Sequence, residues 1–579
     1  MEKEILEFIN QNNLSPFGDK KSIRASSINI FKTLDAKSIY SKVLNEINCN
    51  FEFDNSASVW SLFGFTNNEG EIKKRQDFFK NLKKENRDFL KKIVKPRSFW
   101  KPRYNVVVVT ENEETFMELK RMECPVQYLT NENDLAELEN CEIVQVVDCD
   151  NFSGMLERLP QTVFLNSLDE AYLERYLEQL SSWADNIRIL ERERLDDKIS
   201  NIIKEIFPLL GLIIEKRDKK KISKSDIDEK LIEINDNIAE KIKGMTLTGD
   251  LFFDIIKKNK IPKEIEEVIK RAIENSELPS YIFNISIPVS LDEREVESFL
   301  KKQDSEDFTS SAESIKRNAR LLISLPEKLK KIEEYLLYFD FISGIYEFFV
   351  SKECTHLINI SDELNINNSK NIFLDKAQPI SFFLNKDYKC SILTGANSGG
   401  KTTLLEHIIQ IISLLNLGLL VPGEVKMPLF TEVYYFAKNK GSANKGAFET
   451  LLTQMSQIKP GEKTIILADE IESVTEPGVA GNIISATCSY FISKGCFLVI
   501  ATHLGQEIQK DIPQLARMDG IEAKGLDDQF ELIVDHNPVL GRIANSTPEL
   551  IVEKMANIQK LDYFVYLNRY LRESKFKIR

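Results

Sequence analysis

The sequence predicts a multidomain α/β protein. A chain of 579 residues is long enough for several domains. After residue 350, short apolar runs that end in glycine or acidic residues alternate with helical segments, which is typical of a parallel sheet with helices between its strands. A smaller alternation of the same kind precedes it, and long helical patterns occupy much of the remaining chain.

Changes in periodicity predict four domains. Residues 1–103 are mostly helical and polar, and residues 104–167 form a small α/β domain with β-branched runs. Residues 168–349 repeat apolar side chains every three or four positions between charged ones, as long amphipathic helices do, and residues 281–290 interrupt them with a strand-like stretch. Residues 350–579 form the last α/β domain.

Composition and charge narrow the class of protein. With 42% apolar and 29% charged residues, no apolar run of membrane-spanning length and no signal-peptide pattern, a cytoplasmic protein without a membrane partner is expected. The eight cysteines form no C-x-x-C pair and the four histidines show no ligand spacing, which favours reduced thiols over a zinc site. A formal charge of −13 excludes an overall positive surface but allows local basic patches.

Residues 395–402 match the phosphate-loop pattern G-x-x-x-x-G-K-[ST], between an apolar run at 390–393 and a helical pattern at 403–415. Backbone N–H groups of such a loop can surround phosphate oxygens, and the following helix directs its positive end at them. The lysine would contact the β- and γ-phosphates, and the threonine hydroxyl would bind Mg²⁺. The residues predicted to bind the nucleotide are Gly395, Ala396, Asn397, Ser398, Gly399, Gly400, Lys401, Thr402 and Thr403.

Two further apolar runs end in polar side chains that suit the same chemistry. The run at 464–468 ends in Asp469 and Glu470, and the run at 496–501 ends in Thr502 and His503. We expect Asp469 on the strand neighbouring the loop, as an Mg²⁺ ligand with Thr402, and Glu470 as the residue that activates water. With Lys401, Glu470 and His503 as catalytic residues, the three strand ends together predict a site for Mg²⁺ and ATP.

The spacing of these motifs resembles the MutS family. Residues 393–403 are similar to its T-G-x-N-x-G-G-K loop, 467–471 to its L-x-D-E-[IL] strand, and 494–496 with 501–503 to its K-G-[CA] and A-T-H segments. The resemblance covers about residues 385 to 560, and it also includes Val421-Pro422-Gly423 and residues 538–551. It implies an ABC-type P-loop ATPase domain preceded by a long-helix lever and clamp region, and a DNA-binding homodimer with composite ATP sites.

Departures from the family pattern favour its second subfamily over the mismatch-recognising members. Thr475-Glu476-Pro477 stands where those members have G-R-G-T, and no F-x-E mismatch-probing motif is found in a plausible N-terminal domain. The family's trans-acting S-T-F segment is Gly446-Ala447-Phe448 here, so its serine is missing unless Ser442 replaces it. The chain stops at Arg579, and a C-terminal nuclease domain of the second subfamily is therefore not expected.

The resemblance implies an ATP-driven clamp that acts in DNA repair or recombination, on branched or otherwise structured duplex rather than on mismatches. A ribosome- or structured-RNA-associated ATPase of the second subfamily type remains the alternative. A protein that binds ATP without hydrolysing it is a third possibility, against which the intact Glu470 argues.

Two basic stretches are candidate nucleic-acid contacts. Residues 73–103 contain 13 Lys or Arg against three acids, interleaved with aromatic side chains, although a solvated helix with its aromatics in the core explains them equally well. The preferred candidate is a shorter cluster between helical segments, which we interpret as the tip of a clamp. It consists of Lys216, Arg217, Lys219, Lys220 and Lys221.

Overall fold

The computed structural model describes residues 1–23, 29–97, 105–159, 161–214, 222–243, 261–395, 399–438, 445–470, 477–526, 532–544, 548–559 and 561–577. The chain divides into two compact units. The first unit combines Met1–Lys91 with Glu333–Arg579, and the second unit is Lys92–Ile332. The α/β class predicted from the sequence is confirmed, since each unit contains helices and a parallel sheet.

The N-terminal part of the first unit is helical. Its second helix shows why: Thr33 accepts a hydrogen bond from the Ala36 backbone N–H as an N-cap, and Ala36, Ile39, Val43 and Ile47 are buried at helical spacing. Its three α-helices are α1 (Glu2–Gln11), α2 (Leu34–Asn48) and α3 (Glu69–Lys80), with 3₁₀ turns at Asp54–Leu62 and Leu90–Lys92.

The second unit begins with a four-stranded parallel sheet in the order β2-β1-β3-β4. Its strands are β1 (Val106–Thr110), β2 (Val126–Tyr128), β3 (Ile143–Val146) and β4 (Thr162–Phe164). The helices beside them are α4 (Glu113–Arg121), α5 (Asp134–Leu138) and α6 (Ser153–Leu156).

The remainder of the second unit is mostly helical. The stretch at 281–290, predicted to be strand-like, overlaps two strands of two residues each that pair as an antiparallel hairpin. In chain order the elements are α7 (Glu174–Glu191), α8 (Asp197–Ile206), α9 (Gly211–Ile214), α10 (Lys224–Lys243), α11 (Lys263–Glu274), β5 (Phe283–Asn284), β6 (Ser290–Leu291), α12 (Glu293–Arg317), α13 (Ala319–Ile323) and α14 (Leu325–Ser351), the last of which continues into the first unit.

Among the described residues, the C-terminal part of the first unit contains sheets of six, four and two strands. Its strands are β7 (Ile358–Ile360), β8 (Leu364–Ser369), β9 (Ile380–Leu384), β10 (Cys390–Gly395), β11 (Glu424–Met427), β12 (Glu432–Phe436), β13 (Thr464–Asp469), β14 (Phe497–Ala501), β15 (Ala516–Ile521), β16 (Ala523–Leu526), β17 (Leu532–Val534) and β18 (Val539–Leu540). Its helices are α15 (Lys401–Leu417), α16 (Lys445–Ser456), α17 (Pro477–Ser493), α18 (Gly505–Gln509), α19 (Pro548–Gln559) and α20 (Asp562–Lys577).

The main sheet has the order β12-β13-β14-β10-β15-β18, and all its pairs are parallel except the last. A smaller sheet has the order β7-β11-β8-β9, and β16 pairs with β17. Helix α15 contacts the main sheet on one side and α2 and α3 on the other. Because both sides are covered, the helix is apolar nearly all round rather than along one stripe.

The N-terminal segment extends the main sheet beyond β12. Phe31 pairs with Val433 in parallel, with hydrogen bonds from Lys32 N to Val433 O and from Val433 N to Ile30 O, both 2.9 Å. Within the described part of the chain, no helix has both the length and the apolar character needed to cross a lipid bilayer.

Candidate functional site

The loop between β10 and α15 depends on two glycines at its ends. Gly395 has a φ of 136° and Gly400 a φ of 92°, values that side-chain-bearing residues rarely adopt. A Cβ atom on Gly395 would overlap the Ile521 carbonyl oxygen, and one on Gly400 would lie 2.9 Å from Nδ1 of His536. The chain can therefore turn closely here only with glycine. The predicted nucleotide-binding residues Ala396, Asn397 and Ser398 lie outside the described residues.

Lys401 is folded back onto this loop. Its Nζ donates a 2.6 Å hydrogen bond to the Gly395 carbonyl oxygen and lies 3.8 Å from Oε1 of Glu470, and only 2% of the side chain is exposed. The ammonium is therefore buried at the start of the helix and held by a backbone carbonyl, with a carboxylate nearby.

Thr402 and Asp469 form the second contact of the site. The Thr402 hydroxyl donates a 2.5 Å hydrogen bond to Oδ2 of Asp469. The other oxygen, Oδ1, is buried and accepts no hydrogen bond from the residues that the structure describes. Burial raises the pKa of Asp469 above its usual value. A hydroxyl beside an unsatisfied carboxylate oxygen fits a hard divalent cation such as Mg²⁺, which takes oxygen ligands.

Glu470 lies one residue further on and is surrounded by cations. Its Oε1 accepts a 2.6 Å hydrogen bond from Nε2 of His503, and its Oε2 is in contact with Nζ of Lys438. Burial acts to raise the pKa of Glu470, but the hydrogen bond with Lys438 and the charge and hydrogen bond of His503 outweigh it, so the pKa lies below its usual value. Glu470 is therefore a buried carboxylate held in its ionised form.

The register of the parallel strands in the main sheet explains how the residues of the site come close together. Leu393 pairs with Ala501, and Ala501 pairs with Asp469, so the ends of β10, β14 and β13 lie in one row across the sheet. The expectation that the strand of Asp469 neighbours the loop strand is wrong, because β14 lies between β10 and β13. The contact between Thr402 and Asp469 passes over the end of β14, where His503 follows.

Two residues of the site were not predicted from the sequence. Lys438 follows β12, and a single lysine in a polar loop gives no signal by itself. His536 places Nδ1 2.9 Å from the Gly399 carbonyl oxygen. It also lines a small cavity beside the loop, together with Asn371, Gln378, Thr403, Leu404 and His407. Thr403, predicted to bind nucleotide, thus faces this cavity rather than the carboxylates.

The candidate nucleic-acid contacts are only partly visible. The cluster from Lys216 to Lys221 lies outside the described residues. In the 73–103 stretch, of which residues 98–103 also lie outside, Phe79 and Phe89 are buried. Arg75 is buried too and donates to the Gly64 and Asn416 carbonyl oxygens at 2.9 and 2.8 Å. This part of the stretch therefore stabilises the fold, while lysines such as Lys83 and Lys84 remain exposed.

The segments expected to distinguish the chain from mismatch readers are also incomplete. Ser442 and residues 471–476 lie outside the described residues. Gly446, Ala447 and Phe448 belong to the first turn of α16, whose backbone is described. Pro477 begins α17.

The geometry defines a class of site. An α/β protein brings an ammonium, a hydroxyl, two carboxylates and an imidazole to the carboxyl edge of a parallel sheet, next to a glycine-dependent turn into a helix. Open α/β sheets bind their ligands at this edge.

Comparison with known proteins gives the family. The chain is 30% identical over 598 aligned positions to the DNA-binding protein MutS2 of Pyrococcus furiosus, covering 93% of this chain and 99% of that protein. It is 27% identical to the endonuclease MutS2 of Caldicellulosiruptor bescii over 26% of this chain and 20% of that protein. It is 23% identical to the DNA mismatch repair protein MutS of Thermotoga maritima over 45% and 33%.

The chain therefore belongs to the MutS-like family and lies nearer to MutS2 than to MutS. The resemblance inferred from the motifs is confirmed. No model of a protein family matches the chain.

Proposed function

We propose that this protein is a Mg²⁺-dependent P-loop ATPase that binds DNA, and that it works as an ATP-driven clamp in DNA repair or recombination rather than in mismatch recognition. The observation that carries the proposal is the row of Thr402, Asp469, Glu470 and His503 beside the glycine-dependent loop. A relative that matches nearly the whole chain is named a DNA-binding protein, which supports DNA as the partner.

In the proposed reaction, water attacks the γ-phosphorus of ATP and the bond to the bridging oxygen breaks, so that ADP departs with the electron pair. Glu470 orients the water and accepts its proton, and its lowered pKa keeps it ionised for this role. Lys401 leaves the Gly395 carbonyl for the phosphate oxygens, and His503 couples loss of the γ-phosphate to movement of the strand end.

Thr402 and Asp469 are the residues that would hold Mg²⁺, because the unsatisfied Oδ1 of Asp469 offers the ligand that such an ion requires. A bound Mg²⁺ would supply positive charge that stabilises the phosphate groups during the reaction. The base of the nucleotide would lie against His536, which borders both the loop and the cavity lined by Thr403.

The domains proposed for this activity are 350–579 as a MutS-type, ABC-type ATPase domain, 168–349 as a helical lever with a clamp-like insertion, 104–167 as a small α/β domain and 1–103 as an N-terminal helical region. A homodimer with composite ATP sites is proposed with them. Exposed apolar and aromatic side chains in the first nine residues of α20 and just before it support a second copy as a partner, and these are Leu561, Tyr563, Val565, Tyr566 and Tyr570.

Binding measurements test this proposal. Duplex, branched and single-stranded DNA and ribosomes would each be titrated with the protein, with and without ATP. We expect branched or otherwise structured duplex to bind best and the affinity to depend on ATP. Binding to ribosomes and to none of the DNAs would replace the proposal by the ribosome- or RNA-associated ATPase.

Sedimentation of Glu470→Gln with ATP tests the homodimer and is expected to give a dimer. A monomer at micromolar concentration contradicts composite sites.

Charge reversal locates the DNA contact. For binding to duplex DNA, log K falls with log salt concentration with a slope of about −0.9 per phosphate contact. Each contact that is removed therefore makes the slope less negative by about 0.9. Reversing Lys216, Arg217, Lys219, Lys220 and Lys221 is expected to weaken binding and flatten this slope without changing ATP hydrolysis in the absence of DNA. The matched variant reverses Lys83, Lys84, Lys91 and Lys92 in the other basic stretch. If only that variant loses affinity, the clamp-tip assignment is wrong.

A further inference from the structure

Lys438 occupies a position that the proposed hydrolysis does not use. It follows β12, the strand next to β13, and its Nζ is in contact with Oε2 of Glu470. The Lys438 side chain is 46% exposed, whereas that of Glu470 is 7% exposed. A half-exposed lysine thus reaches inward onto a buried carboxylate, and its aliphatic stem does not fix it in the core.

This contact keeps Glu470 ionised but also competes with water for its oxygens. Oε1 already accepts a hydrogen bond from His503 and lies 3.8 Å from Nζ of Lys401, so both oxygens of Glu470 face cations or donors. Lys438 occupies the more exposed approach to Oε2, so its departure would open that oxygen to water.

The charges of the site indicate where Lys438 goes. Without nucleotide, the ammonium groups of Lys401 and Lys438 balance the carboxylates of Asp469 and Glu470. The γ-phosphate of ATP would add negative charge beside the two carboxylates. Ammonium groups bind phosphate oxygens strongly, so the added charge would attract the lysines. Because both lysines contact the same carboxylate, both lie within one side-chain movement of the place where phosphate enters.

The backbone before Lys438 is fixed from the other side. The Ala437 N–H donates to Oδ2 of Asp35 at 3.1 Å, and the Tyr435 N–H donates to Oγ1 of Thr33 at 3.0 Å. The start of α2 therefore holds the end of β12 in place, while the lysine side chain itself is half-exposed and touches the site through its ammonium group. A fixed backbone with a half-exposed side chain suits an exchange between two anions.

We propose, on the basis of the ATPase function above, that Lys438 holds Glu470 in the absence of nucleotide and transfers to the γ-phosphate when ATP binds. Glu470 then becomes available to water only in the ATP-bound site. ADP has no γ-phosphate and leaves Lys438 on Glu470. Lys438 should therefore contribute to affinity for the triphosphate and not for the diphosphate.

Equilibrium binding of AMPPNP, a non-hydrolysable ATP analogue, and of ADP, both with Mg²⁺, tests this inference. Lys438→Met is expected to weaken AMPPNP binding about tenfold, as for one lost charge-assisted hydrogen bond, and to change ADP binding by less than about twofold. Lys438→Arg, which keeps the charge, should restore most of the difference. Lys463→Met is the matched control, since Lys463 precedes β13 at the opposite edge of the sheet.

An equal effect of Lys438→Met on both nucleotides, or no effect on either, overturns the inference, because a static counter-ion or a structural residue does not distinguish them. Wild-type protein that binds neither nucleotide overturns the ATPase proposal itself. If the wild type hydrolyses ATP, Glu470→Gln does not, and Lys438→Met keeps the wild-type preference, only the role of Lys438 is wrong.

Discussion

The two parallel sheets of this protein both place carboxylates at their carboxyl edges, with different surroundings. In the second unit, Glu111 follows β1 and accepts hydrogen bonds from the Phe152 N–H at 2.7 Å and from the Asn151 N–H and side-chain amide at 3.1 and 2.8 Å. Asp148, after β3, accepts one from the Thr115 hydroxyl at 2.6 Å. Both carboxylates thus accept hydrogen bonds from residues that follow or precede the neighbouring strand of the same sheet.

At the carboxyl edge of the main sheet in the first unit, Asp469 and Glu470 lie in different surroundings, and we call this edge the open site. Asp469 has one oxygen without a described donor, and Glu470 is held by Lys438 and His503 from neighbouring strands. The pKa values differ accordingly. Burial raises the pKa of Asp469, whereas for Glu111 the effect of burial is outweighed by hydrogen bonds from Cys149, Phe152 and Asn151, which lower the pKa. The two sheets therefore differ in how far hydrogen-bond donors satisfy the carboxylates at their strand ends.

The largest expected effect comes from the lysine of the open site. Lys401→Ala should abolish measurable ATP binding, a loss on the order of 100-fold, because its ammonium is the buried donor nearest the loop. Lys120→Ala is the matched change on the helix that follows β1 in the other sheet, and it should leave ATP binding intact. Isothermal titration of both variants measures the difference. Equal binding by Lys401→Ala and wild type contradicts the location of the site.

The next largest effect is expected in the pH dependence of folding stability, and it comes from a buried histidine in α15, the helix that follows the glycine-dependent loop. His407 lies in α15 between Ser369 and Gln410, and burial lowers its pKa to about 4. Between about pH 6.5 and 4 the unfolded chain binds a proton at this residue and the folded chain does not. Stability is therefore fully present above that window and falls as pH drops, by up to about 3 kcal/mol.

Urea unfolding at pH 7 and pH 5 measures this effect. His407→Gln removes the titrating group but keeps hydrogen-bonding capacity, so the variant should lose less stability than wild type between the two pH values. An identical loss in both proteins would show that other groups cause the pH dependence.

The smallest expected effect is a change in the free energy of unfolding, and its sign should differ between the two sheets. Asp469→Asn is expected to raise the free energy of unfolding by about 1 kcal/mol, because a buried amide with one unpaired atom costs less than a carboxylate. Glu111→Gln should lower it by about 1 kcal/mol or less, since a partly exposed acceptor of several N–H groups is replaced by a weaker one. Chemical denaturation without nucleotide measures both. Destabilisation by Asp469→Asn would mean that the open carboxylate is satisfied after all.

The strand ends and the glycine-dependent turn can be predicted from the sequence, but the hydrogen bonds that distinguish the two sheets cannot. Apolar runs that end in Asp469-Glu470 and Thr502-His503 identify strand ends, and the glycine pattern identifies the turn before Lys401, because both depend on local chain properties. Glu111 and Asp148 also follow strands, however, and nothing in the sequence shows that hydrogen bonds from Asn151 and other residues nearby satisfy them.

Contacts between distant segments account for the rest. The position of β14 between β10 and β13 follows from the strand order, which periodicity does not encode. Lys438 reaches Glu470 only because β12 pairs with β13, and Phe31 joins the main sheet from the far end of the chain. Such pairings depend on the packing of whole elements, so no local pattern predicts them.

The central claim is that the open edge of the main sheet hydrolyses ATP with Glu470 as the base. Steady-state hydrolysis and retention of labelled ATP should be measured side by side for wild type, Glu470→Gln and Glu111→Gln. We predict that Glu470→Gln keeps bound ATP while its turnover falls by about 10²- to 10⁴-fold, the usual contribution of a general base, and that Glu111→Gln behaves as wild type. Hydrolysis by Glu470→Gln at a rate near that of wild type would contradict the claim.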